Sequence, residues 1–282
     1  MKLAGGGFLI EARDVRVERG GNQILHGISL GVHRGELGVL LGPSGSGKST
    51  LFKALMGQWE LSGGQVLLEG QPLGRLDPAR VARTIGCVPQ DDIVHTDLRL
   101  RSALEYAARL RFPAEAGEAA VQAAVDRVLG ALELSERAGV RIKHLSGGQR
   151  KRASMGVELL LAPPILFLDE PTSGLDPELE ASTMRLLRRL AGEGRAVLTT
   201  THATASLAEA HFTVVVVKGR LAWAGPPAGM LEHFQVSDPD LVFKKLREAE
   251  PDAWAERYRA SPLAGRFASR PAPAGQKREG AA

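Results

Sequence analysis

The spacing of apolar and polar residues predicts strands that alternate with helices over most of the chain. Short apolar runs that end in turn residues are typical of strands, and apolar residues three or four positions apart are typical of helices. Strands are predicted at 37–41, 65–68, 85–88, 165–168, 196–200 and 213–217, after apolar stretches at 8–17 that lead through a turn at 20–22 into a further strand. Helices are predicted at 51–57, 78–83 and 177–190. The alternation indicates an α/β fold built on a mostly parallel sheet with helices on both faces.

The middle of the chain has a different pattern, without predicted strands. Apolar residues recur at helical spacing between 98 and 110, and again between 121 and 132. Two or three helices in succession indicate a helical subdomain that is inserted into the α/β domain at about 91–164.

The length of the chain, 282 residues, is enough for one large domain or two small ones. We expect the main domain to span 8–234 and a C-terminal helical extension to follow at 235–268. The last residues, 269–282, are rich in Ala, Pro, Gly and Arg. They are predicted to be disordered, because such a composition buries too little apolar surface to fold.

The 36 basic and 32 acidic residues leave a formal net charge of +4. This mild excess fits either an ordinary solvated surface or attraction to an anionic membrane. Only 5% of the residues are aromatic, and none interleave with arginines in a basic run. A nucleic-acid partner is therefore not expected.

The single cysteine, Cys87, excludes an intrachain disulfide and a zinc site made of cysteines. Because it lies in the apolar run 85–88, it is predicted to be a buried structural thiol. The N-terminus has no secretory pattern, and no apolar run is long enough to cross a bilayer. We expect a cytoplasmic protein that is peripheral on the cytoplasmic face of the cell membrane through a partner.

A glycine-rich loop between a predicted strand and a predicted helix is the first candidate site. Segment 42–49 reads Gly-Pro-Ser-Gly-Ser-Gly-Lys-Ser and fits the phosphate-loop pattern Gly-x4-Gly-Lys-Ser. Glycines let backbone N–H groups face phosphate oxygens, and the following helix presents its positive end. Lys48 is expected to contact the β- and γ-phosphates, and Ser49 to supply a hydroxyl to Mg²⁺. The residues predicted to bind the nucleotide here are Gly42, Pro43, Ser44, Gly45, Ser46, Gly47, Lys48, Ser49 and Thr50.

Two adjacent carboxylates follow the strand predicted at 165–168. Asp169 stands at its carboxyl end, where open parallel sheets place ligands, and is expected to bind the metal. Glu170 follows directly and is suited to polarise the attacking water as a base. The loop and the two acids predict a site for a nucleoside triphosphate, but kinases, GTPases and motor ATPases share both features.

Segment 145–149, Leu-Ser-Gly-Gly-Gln, narrows the class. It resembles the signature sequence of the ABC ATPase family, and it lies shortly before the strand that carries Asp169, as it does in that family. The resemblance covers about 8–234. A Ser-Gly-Gly turn that opens a helix is also suited to hold an anion, whereas a kinase has no use for it. The resemblance implies that the nucleotide is contacted by Ser146, Gly147, Gly148 and Gln149.

Three more features of the family follow in order. Gln90 resembles the Q-loop glutamine, segment 173–176 resembles the D-loop, and His202 resembles the switch histidine near the γ-phosphate. The resemblance implies catalytic roles for Glu170, His202, Gln90 and Lys48, metal contacts for Ser49, Gln90 and Asp169, and a nucleotide contact for Asp176.

The resemblance also implies the P-loop NTPase fold of ABC ATPases. In that fold the mostly parallel sheet is accompanied by an antiparallel β subdomain and an inserted helical subdomain. It implies ATP and Mg²⁺ as ligands and a head-to-tail homodimer with two ATP molecules at the interface. The phosphate loop of one copy and Ser146 of the other would hold the same ATP, and hydrolysis would let the dimer open. Because every motif is intact, both sites are expected to be active.

Segments 90–95, 104–110, 147–152 and 223–227 look like those of subfamily G, the white-type cassettes. This likeness implies a separate transmembrane permease, or a cassette from a longer protein, and transport that is usually outward. Segment 91–100 would contact a short cytoplasmic helix of the permease. The alternative is a non-transport ABC ATPase that regulates a membrane or cell-division complex. The sequence names no cargo.

One departure from the family concerns the adenine base. ABC ATPases often stack an aromatic residue on adenine, whereas this chain has Arg19 at the corresponding place and no aromatic residue between Phe8 and Phe52. The planar guanidinium of Arg19 could stack on the base instead. Alternatively, the base is held loosely.

Overall fold

The computed structural model describes residues 8–201, 204 and 206–267. The strands are β1 (Ile10–Arg19), β2 (Asn22–Val32), β3 (Leu37–Leu41), β4 (Gly63–Leu68), β5 (Gln71–Pro72), β6 (Ile85–Val88), β7 (Ile165–Leu168), β8 (Ala196–Thr200), β9 (Phe212–Val217) and β10 (Arg220–Gly225). The helices are α1 (Lys48–Leu55), α2 (Pro78–Thr84), α3 (Leu100–Arg111), α4 (Glu118–Ala131), α5 (Gly147–Leu159), α6 (Pro177–Gly192), α7 (Pro227–Phe234), α8 (Asp240–Lys245), α9 (Pro251–Arg259) and α10 (Ala264–Phe267).

The larger sheet has the strand order β10-β9-β3-β8-β7-β6. Strands β9, β3, β8, β7 and β6 are parallel, and β10 pairs antiparallel at the edge. Every residue of β3, β7 and β8 is buried, so these strands are covered on both faces. The mostly parallel sheet is confirmed. Because parallel strands end at the same edge, the loops after β3, β7 and β8 come together there.

The smaller sheet has the order β2-β1-β4-β5, and all its strand pairs are antiparallel. It is the antiparallel β subdomain that the resemblance implied. Strand β1 continues to Arg19, two residues beyond the predicted end at 17. The pattern did not predict β10, because the small residues Ala222, Ala224 and Gly225 have a low strand preference.

Helices α3, α4 and α5 follow β6 and precede β7 along the chain, and they pack on one another. Their buried residues follow the helical spacing read from the sequence, with Leu100 and Leu104 in α3 and Val121, Val125 and Val128 in α4. Helix α1 begins at Lys48, earlier than the predicted 51, because the phosphate loop runs straight into its first turn.

Helices α7, α9 and α10 contact β10, and α9 makes the most extensive contact. Trp223 of β10 and Tyr258 of α9 have ring centroids 6.1 Å apart, and His233 of α7 lies 5.0 Å from Trp223. Burial lowers the pKa of His233 to about 4, so its ring is neutral at pH 7. The segment 269–282, predicted to be disordered, lies outside the described residues.

Cys87 departs from the prediction of a buried thiol, because it is only half-buried. Its chemistry is nevertheless that of an unreactive cysteine. Burial, and secondarily the Glu158 carboxylate, raises the pKa of the Cys87 thiol to about 11. None of the described helices is both long enough and apolar enough to span a membrane.

Candidate nucleotide site

The phosphate loop connects the fully buried strand β3 to helix α1. The chain turns into the helix at Gly47, whose φ is 104°, a conformation that a glycine adopts without strain. Within the described part of the chain, the backbone N–H groups of Gly45, Gly47 and Lys48 have no hydrogen-bond acceptor. Three backbone donors next to a helix N-terminus suit the oxygens of a polyphosphate.

The turn between β9 and β10 supports this loop from behind. The Gly219 N–H donates to the Ser46 carbonyl at 2.8 Å, and the Gly219 carbonyl accepts from the His26 N–H at 2.9 Å. Gly219 has a φ of +73°, and a Cβ there would lie 1.8 Å from the Ile24 carbonyl oxygen. Only glycine fits this position, which the sequence analysis did not single out. The loop conformation therefore depends on the turn that follows β9, the strand paired with β3.

Lys48 lies almost buried at the start of α1, with 8% of its surface exposed. Its Nζ donates to the carbonyl oxygens of Gly42 at 2.7 Å and Pro43 at 3.0 Å. Burial lowers the pKa of the Lys48 ammonium, and the carboxylates of Glu170 and Asp169 oppose that shift. A buried cation held mainly by neutral carbonyls is well matched to an anionic ligand.

Asp169 follows β7 and stands opposite the phosphate loop. One of its carboxylate oxygens accepts from the Ser49 hydroxyl at 3.4 Å, and the other accepts from the Thr200 hydroxyl at 2.6 Å. The described residues contain no group of three or more His, Cys, Asp or Glu side chains that could hold a metal. A hydroxyl and one carboxylate are hard oxygen donors that fit Mg²⁺, which usually takes its other ligands from water and substrate phosphates.

Glu170 has a φ of +48°, a conformation that costs a residue with a side chain ~1–3 kcal/mol. Two hydrogen bonds hold it there. The Glu170 N–H donates to the Thr200 hydroxyl at 2.8 Å, and the Glu170 carbonyl accepts from the Ser173 N–H at 3.1 Å. Strained backbone that neighbours hold in place is a frequent feature of active sites.

Gln90 joins Glu170 from the loop after β6. Its side-chain Nε2 donates to the Glu170 carboxylate at 3.2 Å. The predicted metal contacts are therefore divided in this structure: Ser49 and Asp169 lie together, and Gln90 lies on the neighbouring carboxylate. Thr200 was not predicted as a site residue, although the run of threonines at 199–201, at the end of a buried strand, was the available signal.

The signature segment opens helix α5. Ser146 is the N-cap, its hydroxyl accepts from the Gln149 N–H at 3.3 Å, and the Gln149 side chain accepts in return from the Ser146 N–H at 3.1 Å. This reciprocal capping box explains the spacing of the two residues. Ser146 and Gly147 are exposed to solvent, whereas Gly148 is buried.

Helices α5 and α1 pack against different elements of the fold. Helix α5 packs mainly on β6, α3, α4 and α6, whereas α1 packs mainly on β1 and β2. The sequence-predicted nucleotide residues therefore form two groups, the phosphate loop with the residues after β7, and the exposed end of α5.

Asp176 is exposed and caps helix α6. One of its carboxylate oxygens accepts from the N–H groups of Glu178 at 3.1 Å and Leu179 at 3.0 Å. Its role in the monomer is structural, and its contact with nucleotide stays a prediction. A cavity of about 340 Å³ lies beside Glu170 and is lined also by Thr172, Leu175 and Thr201, but not by Asp176. His202 lies outside the described residues.

Arg19 has an aromatic partner that the sequence analysis did not find. The guanidinium carbon lies 3.4 Å from the ring centroid of Trp59, which is a face-on stack. Trp59 follows α1 and is half-buried, whereas Arg19 is exposed. Trp59 lies beyond the segment between Phe8 and Phe52, which contains no aromatic residue, so the sequence pattern did not point to it.

The fold and the site define a P-loop nucleoside triphosphatase, with a phosphate loop after β3 and paired acids after β7. The sequence also matches the ABC transporter family over residues 25–173. The chain belongs to the ABC transporter family and is an ATP-binding cassette ATPase, the domain that couples ATP hydrolysis to transport in that family.

Two relatives and one solved structure illustrate this membership. The chain is 41% identical over 242 residues to the ABC transporter ATP-binding/permease protein Rv1747 of Mycobacterium tuberculosis, covering 86% of this chain and 28% of that protein. It is 38% identical over 221 residues to ABC transporter G family member 22 of Arabidopsis thaliana, covering 75% of this chain and 29% of that protein. The predicted likeness to subfamily G is confirmed. The chain thus spans less than a third of the length of these relatives.

The structure of cbiO1 from Clostridium perfringens, part of the ABC transporter complex cbiONQ, superimposes with a TM-score of 0.74. The two sequences are 26% identical, and the match covers 88% of this chain and 98% of that chain. The predicted ABC ATPase fold is confirmed.

Proposed function

We propose that this chain is the ATP-hydrolysing subunit of an exporter, that it works as a head-to-tail homodimer around two ATP molecules, and that it drives a permease carried outside this sequence. The observation that carries the proposal is the exposed N-terminus of α5, where a capping box formed by Ser146 and Gln149 fixes the first turn. It is built to bind an anion but belongs to a different packing unit from the phosphate loop of its own chain.

The hydrolytic step uses groups that lie together in one copy. The loop N–H groups and Lys48 hold the β- and γ-phosphates. Glu170 takes a proton from a water whose oxygen bonds to the γ-phosphorus, while the bond from that phosphorus to the bridging oxygen breaks and ADP leaves with the electron pair. Mg²⁺ held by Ser49 and Asp169 would neutralise charge on the phosphates. Gln90 donates a hydrogen bond to Glu170 and so orients this general base.

We infer that the γ-phosphate at this site faces away from the protein that binds it, because Ser44 and Gly45 of the phosphate loop are exposed. A second copy that brings Ser146 and Gly147 to this phosphate would complete its coordination with a hydroxyl and helix N–H groups. The two copies are equivalent, so one such contact implies a second, as twofold symmetry requires. ATP then joins the copies, and its cleavage removes the joining group.

We propose that the adenine base stacks on the guanidinium of Arg19, which itself stacks on Trp59. Gly47 of the phosphate loop lies against Leu25, since a Cβ on Gly47 would be 3.0 Å from the Leu25 side chain. Leu25 pairs with Val17, two residues before Arg19. Two residues of strand are about 7 Å, the scale that separates a base from its phosphates. A guanidinium fixed on Trp59 offers its other face to adenine.

Replacing Arg19 by alanine should weaken ATP binding about three- to tenfold, because a planar cation under the base contributes ~0.5–1.5 kcal/mol. Binding of tripolyphosphate, which has no base, should not change. Trp59→Ala should weaken ATP binding in the same way, and Arg34→Ala, which removes an exposed arginine paired with Glu69, serves as the control. Isothermal titration of the wild-type protein and the three variants with ATP and with tripolyphosphate measures these changes. An equal loss for ATP and tripolyphosphate would assign Arg19 to the phosphates instead.

We propose that the permease binds at a cavity of about 710 Å³, which is lined by α3 and by segment 93–98. Its apolar residues Tyr106 and Leu110 are 52% and 87% exposed, and Ile93 at its entrance is 39% exposed. Adjacent exposed apolar side chains around a concave surface are typical of a site for a partner. A short amphipathic helix that buries an apolar face is the occupant that fits this shape.

Leu110→Glu should abolish binding to the permease and leave the ATPase rate of the isolated chain unchanged, because this residue contacts neither the phosphate loop nor Glu170. We expect at least about tenfold less permease to copurify from membranes of the native cells. Leu241→Glu, a change at an exposed leucine of α8, is the matched control. The proposal requires the captured membrane protein to be a polytopic permease. Capture of ribosomes or of a membrane protein without transport activity would instead favour a regulatory ATPase.

Outward transport is the direction we propose, on the strength of the similarity to subfamily G. In inside-out vesicles that contain the reconstituted pair, with ATP added outside, an exporter accumulates cargo within the vesicles, whereas an importer releases cargo from them. The cargo itself is selected by the permease.

A further inference from the structure

A chain of polar contacts joins α5 to the loop after β6. Lys151 in the first turns of α5 donates from Nζ to the backbone carbonyl of Gln90. The same Nζ lies 3.4 Å from the Asp92 carboxylate. The Ser154 hydroxyl, three residues further along the same face of α5, donates to that carboxylate at 3.4 Å. One lysine therefore holds this loop by both its backbone and a side chain.

This contact is more sheltered than an ordinary surface ion pair. The side chain of Lys151 is 14% exposed and that of Asp92 is 27% exposed. Partly buried charges are screened less by water and salt than exposed ones, so their geometry is better defined. Among the described residues, most other ion pairs have at least one partner that is more than two-fifths exposed. The Lys151 contact is therefore suited to make the loop after β6 move together with α5.

The loop that Lys151 holds carries the side chain that touches the catalytic carboxylate. Gln90 donates to Glu170 at 3.2 Å through Nε2, while its backbone carbonyl accepts from Lys151. At the other end, α5 begins at the capped Ser146. A helix is stiff along its axis, so a displacement of the Ser146 end moves Lys151, and Lys151 moves Gln90 relative to Glu170.

We propose that Lys151 is a positioning residue that couples the two nucleotide sites of the dimer. Ser146 serves the ATP bound by the partner copy, whereas Glu170 serves the ATP bound by its own copy. Engagement of Ser146 on one ATP therefore sets the position of Gln90 against Glu170 at the other. The inference rests on the proposed head-to-tail dimer and adds a route of communication between its sites.

Lys151→Met keeps the length of the side chain and the helix but removes the donor and the charge. We expect the kcat for ATP hydrolysis to fall about tenfold, since small misplacements of catalytic groups have effects of this size or larger. The ATP concentration at half-maximal rate should stay within about twofold, because Lys151 touches no nucleotide group. The Hill coefficient for ATP should fall below the wild-type value, because one route of communication between the sites is lost. Lys151→Arg, which retains a donor and a positive charge, should restore most of the cooperativity.

Lys143→Met is the matched control. Lys143 lies in the same helical region and pairs with Asp97, but both residues are exposed and neither contacts Gln90. Asp92→Asn is the second variant, which removes the ion pair and leaves the bond from Lys151 to the Gln90 carbonyl. It should show a smaller loss of the same kind, and it tests the proposal even if Lys151→Met folds poorly. Steady-state phosphate release over a range of ATP concentrations gives kcat and the Hill coefficient for each protein.

Wild-type kcat and Hill coefficient in both Lys151→Met and Asp92→Asn would overturn the inference, and so would an equal loss in Lys143→Met. Sizing chromatography with ATP separates this outcome from failure of the dimer. Glu170→Gln and the double variant Glu170→Gln, Lys151→Met should both dimerise, because the Lys151 side chain is mostly buried within its own copy. If Glu170→Gln alone stayed monomeric, the proposed dimer itself would fail and the inference with it.

Discussion

Glu170→Gln is expected to lower the rate of ATP hydrolysis at least about a hundredfold while leaving ATP binding intact, because removal of a general base costs ~10²–10⁴ in rate. The amide has the shape of the carboxylate but cannot accept a proton from water. The backbone of Glu170, held at φ +48° by Thr200 and Ser173, should be unaffected by the change. ATP that is bound and not cleaved keeps the two copies joined, so the variant should elute as a dimer with ATP and as a monomer without it.

The matched control is Glu178→Gln, a change at an exposed carboxylate in the first turn of α6. This variant should hydrolyse ATP at the wild-type rate. Phosphate release and sizing chromatography measure the two effects separately. A Glu170→Gln protein that hydrolysed ATP normally would remove Glu170 from the mechanism, and one that stayed monomeric with ATP at high concentration would count against the sandwich.

Ser146→Asp is expected to abolish hydrolysis, also by at least about a hundredfold, through charge and not through folding. Aspartate caps a helix as well as serine does and is favourable at the positive end of α5, so the helix should keep its stability. Across the interface, however, the new carboxylate would lie against the γ-phosphate, and like charges at that distance repel strongly. Ser146→Asn, a neutral cap, is the control and should keep most of the activity.

Mixing two inactive variants tests whether the site is shared between copies. Lys48→Ala damages the phosphate loop, and Ser146→Asp damages only the contact made to the partner. In a mixed dimer, the loop of the Ser146→Asp copy faces the intact Ser146 of the Lys48→Ala copy and forms one working site. If half of the dimers are mixed and one of their two sites works, the mixture should reach about a quarter of the wild-type rate.

A head-to-tail site predicts this recovery, and a site contained in one chain does not. Activity of the mixture equal to the sum of the two separate variants would refute the shared site. Full activity of Ser146→Asp alone would refute any role of the signature segment in catalysis. Thermal melting of each variant confirms that the comparison is made between folded proteins.

The sequence by itself determined the phosphate loop, the adjacent acids Asp169 and Glu170, and the signature segment. Each is a contiguous stretch whose function depends on backbone N–H groups or side chains that are neighbours in the chain. The alternation of buried strands with helices was likewise readable, because a strand buried on both faces must be apolar throughout. Local sequence patterns were therefore enough to predict the class of fold and most of the phosphate site.

Only the tertiary structure decided which distant residues complete that site. Lys151 reaches Gln90 across 61 residues, and Thr200 reaches Asp169 across 31 residues. Arg19 rests on Trp59, and Gly219 supports the phosphate loop at Ser46. None of these pairs has a sequence pattern of its own, because each contact arises where the sheet order brings together the ends of strands or helices that are far apart along the chain. The packing of the whole core determines where those strand and helix ends lie, so no single residue predicts the contact.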